Sequence, residues 1–88
     1  MLLNVVIKDM VQPENNMIKL SEIVSGQTVV CLRDVLEKEY EIVNTSARMK
    51  FDNIWYHCIT YRPKYDSEYN IFVRTIEDFM SNFRIKKN

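Results

Sequence analysis

Eighty-eight residues, 47% of them hydrophobic, make one domain with a single core. Twelve basic and twelve acidic residues leave zero formal net charge. That balance argues against a protein held mainly on nucleic-acid phosphates, where a basic excess supplies the affinity. Cys31 and Cys58 make no disulfide framework, no apolar run reaches transmembrane length, and Met1–Lys8 has neither a basic n-region nor a small-residue cleavage site. A reduced, cytoplasmic protein is expected.

Leu2 to Met10 reads as a strand, with Leu3, Val5 and Ile7 on one face. Gln12-Pro13-Glu14-Asn15-Asn16 is a loop, since Pro13 presets φ and Asn tolerates left-handed geometry. Met17 to Val24 is ambiguous; Ser21 can cap one helical turn that Gly26, the sole glycine, then ends. Gln27 to Arg33 is rich in β-formers and reads as the second strand.

Asp34 to Ser46 carries two conflicting patterns. Asp34 and Glu37 have the spacing of a capping box, and Leu36, Tyr40 and Val43 recur at helical intervals. Tyr40 and Ile42 also alternate with Glu39, Glu41 and Val43, as in a strand. A turn at Asp34–Lys38 followed by a strand at Glu39–Ser46 is the favoured reading, because it forms a hairpin through a short connection. Ala47, Met49 and Phe51 continue the alternation, and Asp52-Asn53 supplies turn chemistry.

Ile54 to Tyr61 is the clearest strand and holds the only Trp and the only His. Pro63 to Glu68 is a polar loop, and Tyr69 to Arg74 is the next strand. Thr75-Ile76-Glu77-Asp78 opens a helix: a Thr cap, acids in the first turn, then Ile76, Phe79, Met80 and Phe83 at i, i+3, i+4 and i+7. Arg84, Lys86 and Lys87 would complement its C-terminus. A helix this short does not stand alone in water, so its apolar stripe must dock on a sheet. The expected fold is mainly β, a small antiparallel five-strand barrel with a short C-terminal helix, in a single domain over residues 1–88.

Three segments carry a family resemblance: Glu39-Tyr40-Glu41-Ile42-Val43, Ile59-Thr60-Tyr61-Arg62 and Phe72-Val73-Arg74-Thr75-Ile76-Glu77-Asp78-Phe79. Together they resemble a family of short bacterial and phage proteins of uncharacterised function with an SH3-like barrel. The family pattern runs through a Y-x-V strand, a V-V-Y-R strand and a W-V-R-P-x-x-x-F ending. Phe72 stands where the family favours Trp, and Thr75 where it favours Pro. The resemblance covers residues 39–83. Asp52-Asn53-Ile54-Trp55-Tyr56 also looks like the start of a Tudor-type barrel strand.

The chemistry-bearing residues make no catalytic set. His57 and Cys58 are neighbours on a strand and so point to opposite faces. No Cys-x-x-Cys or His-x-x-x-His spacing offers a metal site, and one glycine cannot build a phosphate loop. Neither an enzyme nor a cofactor is expected. Trp55, His57, Ile59 and Tyr61 share one face of the central strand; Ile54, Tyr56, Cys58 and Thr60 share the other. The Trp55 face is either covered by Leu2–Val24 or left for a partner. The leading expectation is a protein-interaction module, of the phage accessory type that binds and modulates a host protein. Its contact residues would be Trp55, His57, Tyr61, Arg62 and Arg74. The bland alternative pairs Arg62 and Arg74 with Asp66, Glu68 or Glu77. Two other classes stay open. One is a small nucleic-acid-binding barrel that stacks bases on Trp55 or Tyr61 and uses Arg48, Lys50, Arg62 and Lys64. The other is a binder of a nucleotide or metabolite.

Overall fold

A computed structural model describes residues 18–65 and 70–86. A 3-10 turn, Leu20–Glu22, leads into β1 (Thr28–Cys31), β2 (Glu39–Phe51), β3 (Ile54–Pro63), β4 (Phe72–Thr75), helix α1 (Ile76–Asn82) and β5 (Phe83–Ile85). The strands form one antiparallel sheet in the order β4-β3-β2-β1-β5. The fold is therefore mainly β, with five strands and one short helix among the described residues.

The connections follow from local chemistry. Gly26 takes φ 89°, the left-handed region open to glycine at little cost. Its amide donates to Ile42 O at 2.8 Å and so starts the β1–β2 ladder. At 34–38 the turn reading prevails over the capping box. Both carboxylate oxygens of Asp34 accept from the chain, one from Leu36 N and one from Lys38 N, each at 3.0 Å. Val35 and Leu36 are left almost fully exposed, so a helix here would have no apolar face to bury.

Thr75 caps α1, its Oγ1 accepting from Asp78 N at 3.2 Å. The helix ends earlier than its apolar periodicity suggests. Phe83 is extended (φ −131°, ψ 157°) and begins β5 instead of the fourth stripe position of the helix. The register pairs Cys31 with Phe83, Val30 with Arg84 and Val29 with Ile85. Two forces favour this over another helical turn: the ladder to β1, and stacking of Phe83 on Phe79 at 4.7 Å between centroids. Arg84 and Lys86 accordingly do not serve the helix terminus. Both pair with Glu37, at 2.7 and 3.3 Å, and Lys86 also lies 3.7 Å from Glu39.

Helix α1 also shows that the sheet curls. It joins β4 at one edge to β5 at the other, and it spans only about 12 Å at 1.5 Å per residue. Four strand spacings in a flat sheet would separate those edges by about 19 Å. The core fills the concave side: Ile18, Ile23, Val29, Ile42, Ile59, Tyr61, Phe79 and Phe83, with Ile76 and Met80 packed against it. The stripe of α1 thus docks on the sheet. The strand read at Leu2–Met10 lies outside the described residues.

Charges that are segregated along the chain meet in space. Glu37, Glu39 and Glu41 face Arg84 and Lys86 on one side and Arg62 and Lys64 on the other.

Two outcomes test this account. Thr75→Ala should lower stability by about 1 kcal/mol in urea unfolding, the usual loss of an N-cap. The Glu37 carboxyl is held below its ordinary value, first by the hydrogen bond from Lys86 and then by that from Arg84. A depressed folded-state pKa gives stability that is complete above the unfolded-state value and is lost as pH falls through the folded one. Glu37→Gln should therefore flatten the acid limb of a stability–pH curve and leave its shape near neutrality unchanged.

Candidate functional site

The longest strands, β2 and β3, outrun their neighbours. β1 pairs with β2 only at Glu39–Glu41, and β4 pairs with β3 only at Cys58–Tyr61. Beyond these, residues 44–57 form a two-stranded arm whose strands pair with each other. Asp52 and Asn53 close it with φ values of 50° and 63°. Two successive left-handed residues in a two-residue loop make the hairpin turn that matches strand twist, and Asp and Asn tolerate it best after Gly.

The arm begins at an irregularity. The β2–β3 register shifts between Ile42 and Asn44 and again between Asn44 and Ala47. Side chains satisfy the backbone there. Ser25 Oγ donates to Val43 O at 3.0 Å, Thr60 Oγ1 to Asn44 O at 3.4 Å, and Ser46 N to Asn44 Oδ1 at 2.6 Å. His57 Nε2 donates to Thr45 O, which places its proton on that nitrogen. His57 thus helps hold the bulge.

Past the bulge the two faces of the arm differ. The pairs Met49–Tyr56 and Phe51–Ile54 lie on one face. Met49 is 43% exposed, Phe51 62% and Ile54 54%, and Tyr56 is half-buried. The pairs Arg48–His57 and Lys50–Trp55 lie on the other. All four are exposed, Trp55 at 61%, with the Lys50 ammonium 5.8 Å from the indole centroid.

The structure divides the expected contact residues into three places. Trp55 and His57 stand together on the arm. Tyr61, two rungs further along β3, is 6% exposed and belongs to the core. Its ring meets Phe83 at 5.0 Å, Phe79 at 5.5 Å, and Tyr40 and Phe72 at 5.6 Å. Arg74 is joined to it: Nε donates to Tyr61 Oη at 2.8 Å, Nη1 to Asp78 at 2.6 Å, and the guanidinium lies over the Phe83 ring. The bond to Tyr61 raises the Arg74 pKa further above its ordinary value. Beside this group an open cleft of about 250 Å³ is lined by Cys31, Tyr40, Tyr61, Phe72, Arg74 and Phe83. Arg62 is elsewhere, its Nε 3.3 Å from Glu41. Among the described residues the carboxylates that meet Arg62 and Arg74 are Glu41 and Asp78, not Glu77; Asp66 and Glu68 lie outside the described residues.

Cys58 is fully buried and His57 is exposed, on opposite faces of the strand. Among the described residues no three of His, Cys, Asp and Glu are placed to hold a metal ion, and no helix is long and apolar enough to cross a membrane. The apolar face of Met49, Phe51 and Ile54 escaped the reading of residue types. Its signal was length: strands of 13 and 10 residues cannot be covered by neighbours of four. No protein-family model, curated protein or solved structure matches the chain.

The arm depends on its turn. Asn53→Val puts a β-branched side chain at positive φ and should cost about 1–2 kcal/mol. Hydrogen exchange should show the loss at the amides of 48–57, with the β1–β5 ladder unaffected.

Proposed function

We propose that the chain is a non-enzymatic protein-interaction module: a small SH3-like barrel that presents its β2–β3 arm to a protein partner. A phage-type accessory protein that binds and modulates a host protein is the reading the family resemblance favours. A four-strand antiparallel meander, with a fifth strand that returns to pair with the first, suits the SH3-like expectation.

One observation carries the reading. Met49, Phe51 and Ile54 stand exposed and adjacent on one face of an arm that no other described strand pairs. Large apolar side chains grouped on a rigid projection are what an interface core needs. The magnitude sets the kind of partner. These three side chains offer roughly 300 Å² of apolar surface, about 7 kcal/mol at 25 cal/mol per Å². Association costs about 4–15 kcal/mol before any net affinity appears. The partner must therefore enclose the arm and add contacts of its own, as a concave surface does and a flat one does not.

Immobilised protein exposed to a bacterial lysate should retain one stoichiometric protein. The double variant Phe51→Ser, Ile54→Ser should lose it while unfolding at the same temperature as the parent. Equal retention by both, or no retained protein, would count against this surface.

A further inference from the structure

The geometry points to a second contact surface, on the opposite face of the arm, that fits single-stranded nucleic acid. Four exposed side chains make it: Arg48, Lys50, Trp55 and His57. Register places them on two adjacent rungs of one face, Lys50 opposite Trp55 and Arg48 opposite His57. An exposed indole flanked by cations is the combination by which proteins stack bases and meet the backbone without reading sequence.

Zero net charge for the chain does not settle the matter, because the charge is local. Between Val43 and His57 the only acid is Asp52, which sits in the turn. Among the described residues no carboxylate pairs with Arg48 or Lys50. The other bases of this half are committed. Arg62 lies 3.3 Å from Glu41, and Lys64 lies 3.7 Å from Glu39 and donates to Thr28 Oγ1 at 2.9 Å. The surface therefore narrows to the arm and leaves out Arg62 and Lys64.

The spacing suits the ligand. Same-face rungs lie about 6.8 Å apart along a strand, twice the roughly 3.4 Å per nucleotide of a stacked strand. A base on the free face of Trp55 brings the neighbouring phosphates to Lys50 and Arg48. The Lys50 ammonium, 5.8 Å from the indole centroid, already supplies a cation beside the ring. A duplex hides its base faces from the indole and loses the stacking contribution.

Trp55 is the only tryptophan, so it reports on its own contact. Adding an oligothymidylate of about ten nucleotides should quench its fluorescence, and the anisotropy of a fluorescein-labelled copy should rise in parallel. With two phosphates neutralised, affinity should fall about sevenfold between 50 and 200 mM salt, from a slope of about 0.7 per phosphate. Arg48→Ala with Lys50→Ala should abolish most of that salt dependence. Arg62→Ala should change nothing, and Trp55→Ala should weaken the affinity read by anisotropy about tenfold or more. Phe51→Ser should bind the oligonucleotide like the parent, which separates this surface from the apolar face opposite. No quench and no anisotropy change at 50 mM salt would overturn the proposal. So would a salt dependence that the Arg48/Lys50 double variant leaves unchanged, or a duplex of equal length that binds as tightly.

Discussion

Tyr61 sits where the two ends of the described sheet come together. Its ring is wedged among Tyr40 of β2, Phe72 at the start of β4, Phe79 of α1 and Phe83 of β5. Its hydroxyl, at the polar end of the same side chain, accepts from Arg74. Phenylalanine would fill the core but take away the acceptor of Arg74 Nε, leaving the guanidinium to Asp78 alone among its hydrogen-bond partners in the described residues. A smaller residue would satisfy neither end. Among the strands that meet at this ring are β4 and β5, the two edges of the sheet. The cluster is therefore what makes curling more favourable than a flat sheet, and the seven-residue helix is the tether that makes it geometrically necessary. Arg74 adds a second clasp across the same junction, held between Tyr61 on β3 and Asp78 on α1.

A core placed at one end of two long strands leaves the other end to manage without one. An isolated two-stranded hairpin is marginal in water, so the arm over 44–57 needs local support. It has three kinds. The turn adopts the geometry that strand twist prefers, cross-strand pairs such as Phe51–Ile54 and Lys50–Trp55 supply side-chain contact, and side chains answer the carbonyls that the bulge exposes. The bulge is the boundary between two regimes. On one side of it β3 alternates into the core at Ile59 and Tyr61. On the other, the same alternation delivers Trp55 and His57 to solvent.

That boundary explains what could be read from the residues and what could not. Thr75 announced its helix because a cap, its acids and the first apolar spacing all lie within five residues. The strand from Ile54 through Tyr61 and the turn at Asp52–Asn53 were equally local, though the strand runs on through Pro63. Phe83 was misread because its decisive partner is Cys31, 52 positions earlier, and a helical period continued through it by coincidence. Trp55, His57 and Tyr61 read as one face, and by parity they are one. What no local pattern shows is where along β3 the neighbouring strands stop, and that alone decides which of the three is buried.

The separation has a consequence for how the molecule changes. Tyr61, Phe79 and Phe83 are each fixed by several rings at once, so a substitution there disturbs the sheet, the helix and the returning strand together. Met49, Phe51, Ile54 and Trp55 are exposed, and none of them belongs to the core cluster of the described residues. Substitutions on the arm therefore act on what the arm contacts and hardly on whether the chain folds. Strand parity adds a second independence. Two faces of one ribbon share a backbone but no side-chain neighbours, so the apolar rungs and the cationic rungs can be altered separately. Only the turn and the bulge belong to both. A change at Asn53 or at His57 is thus the kind that would move both faces at once, although neither residue lies on the apolar face.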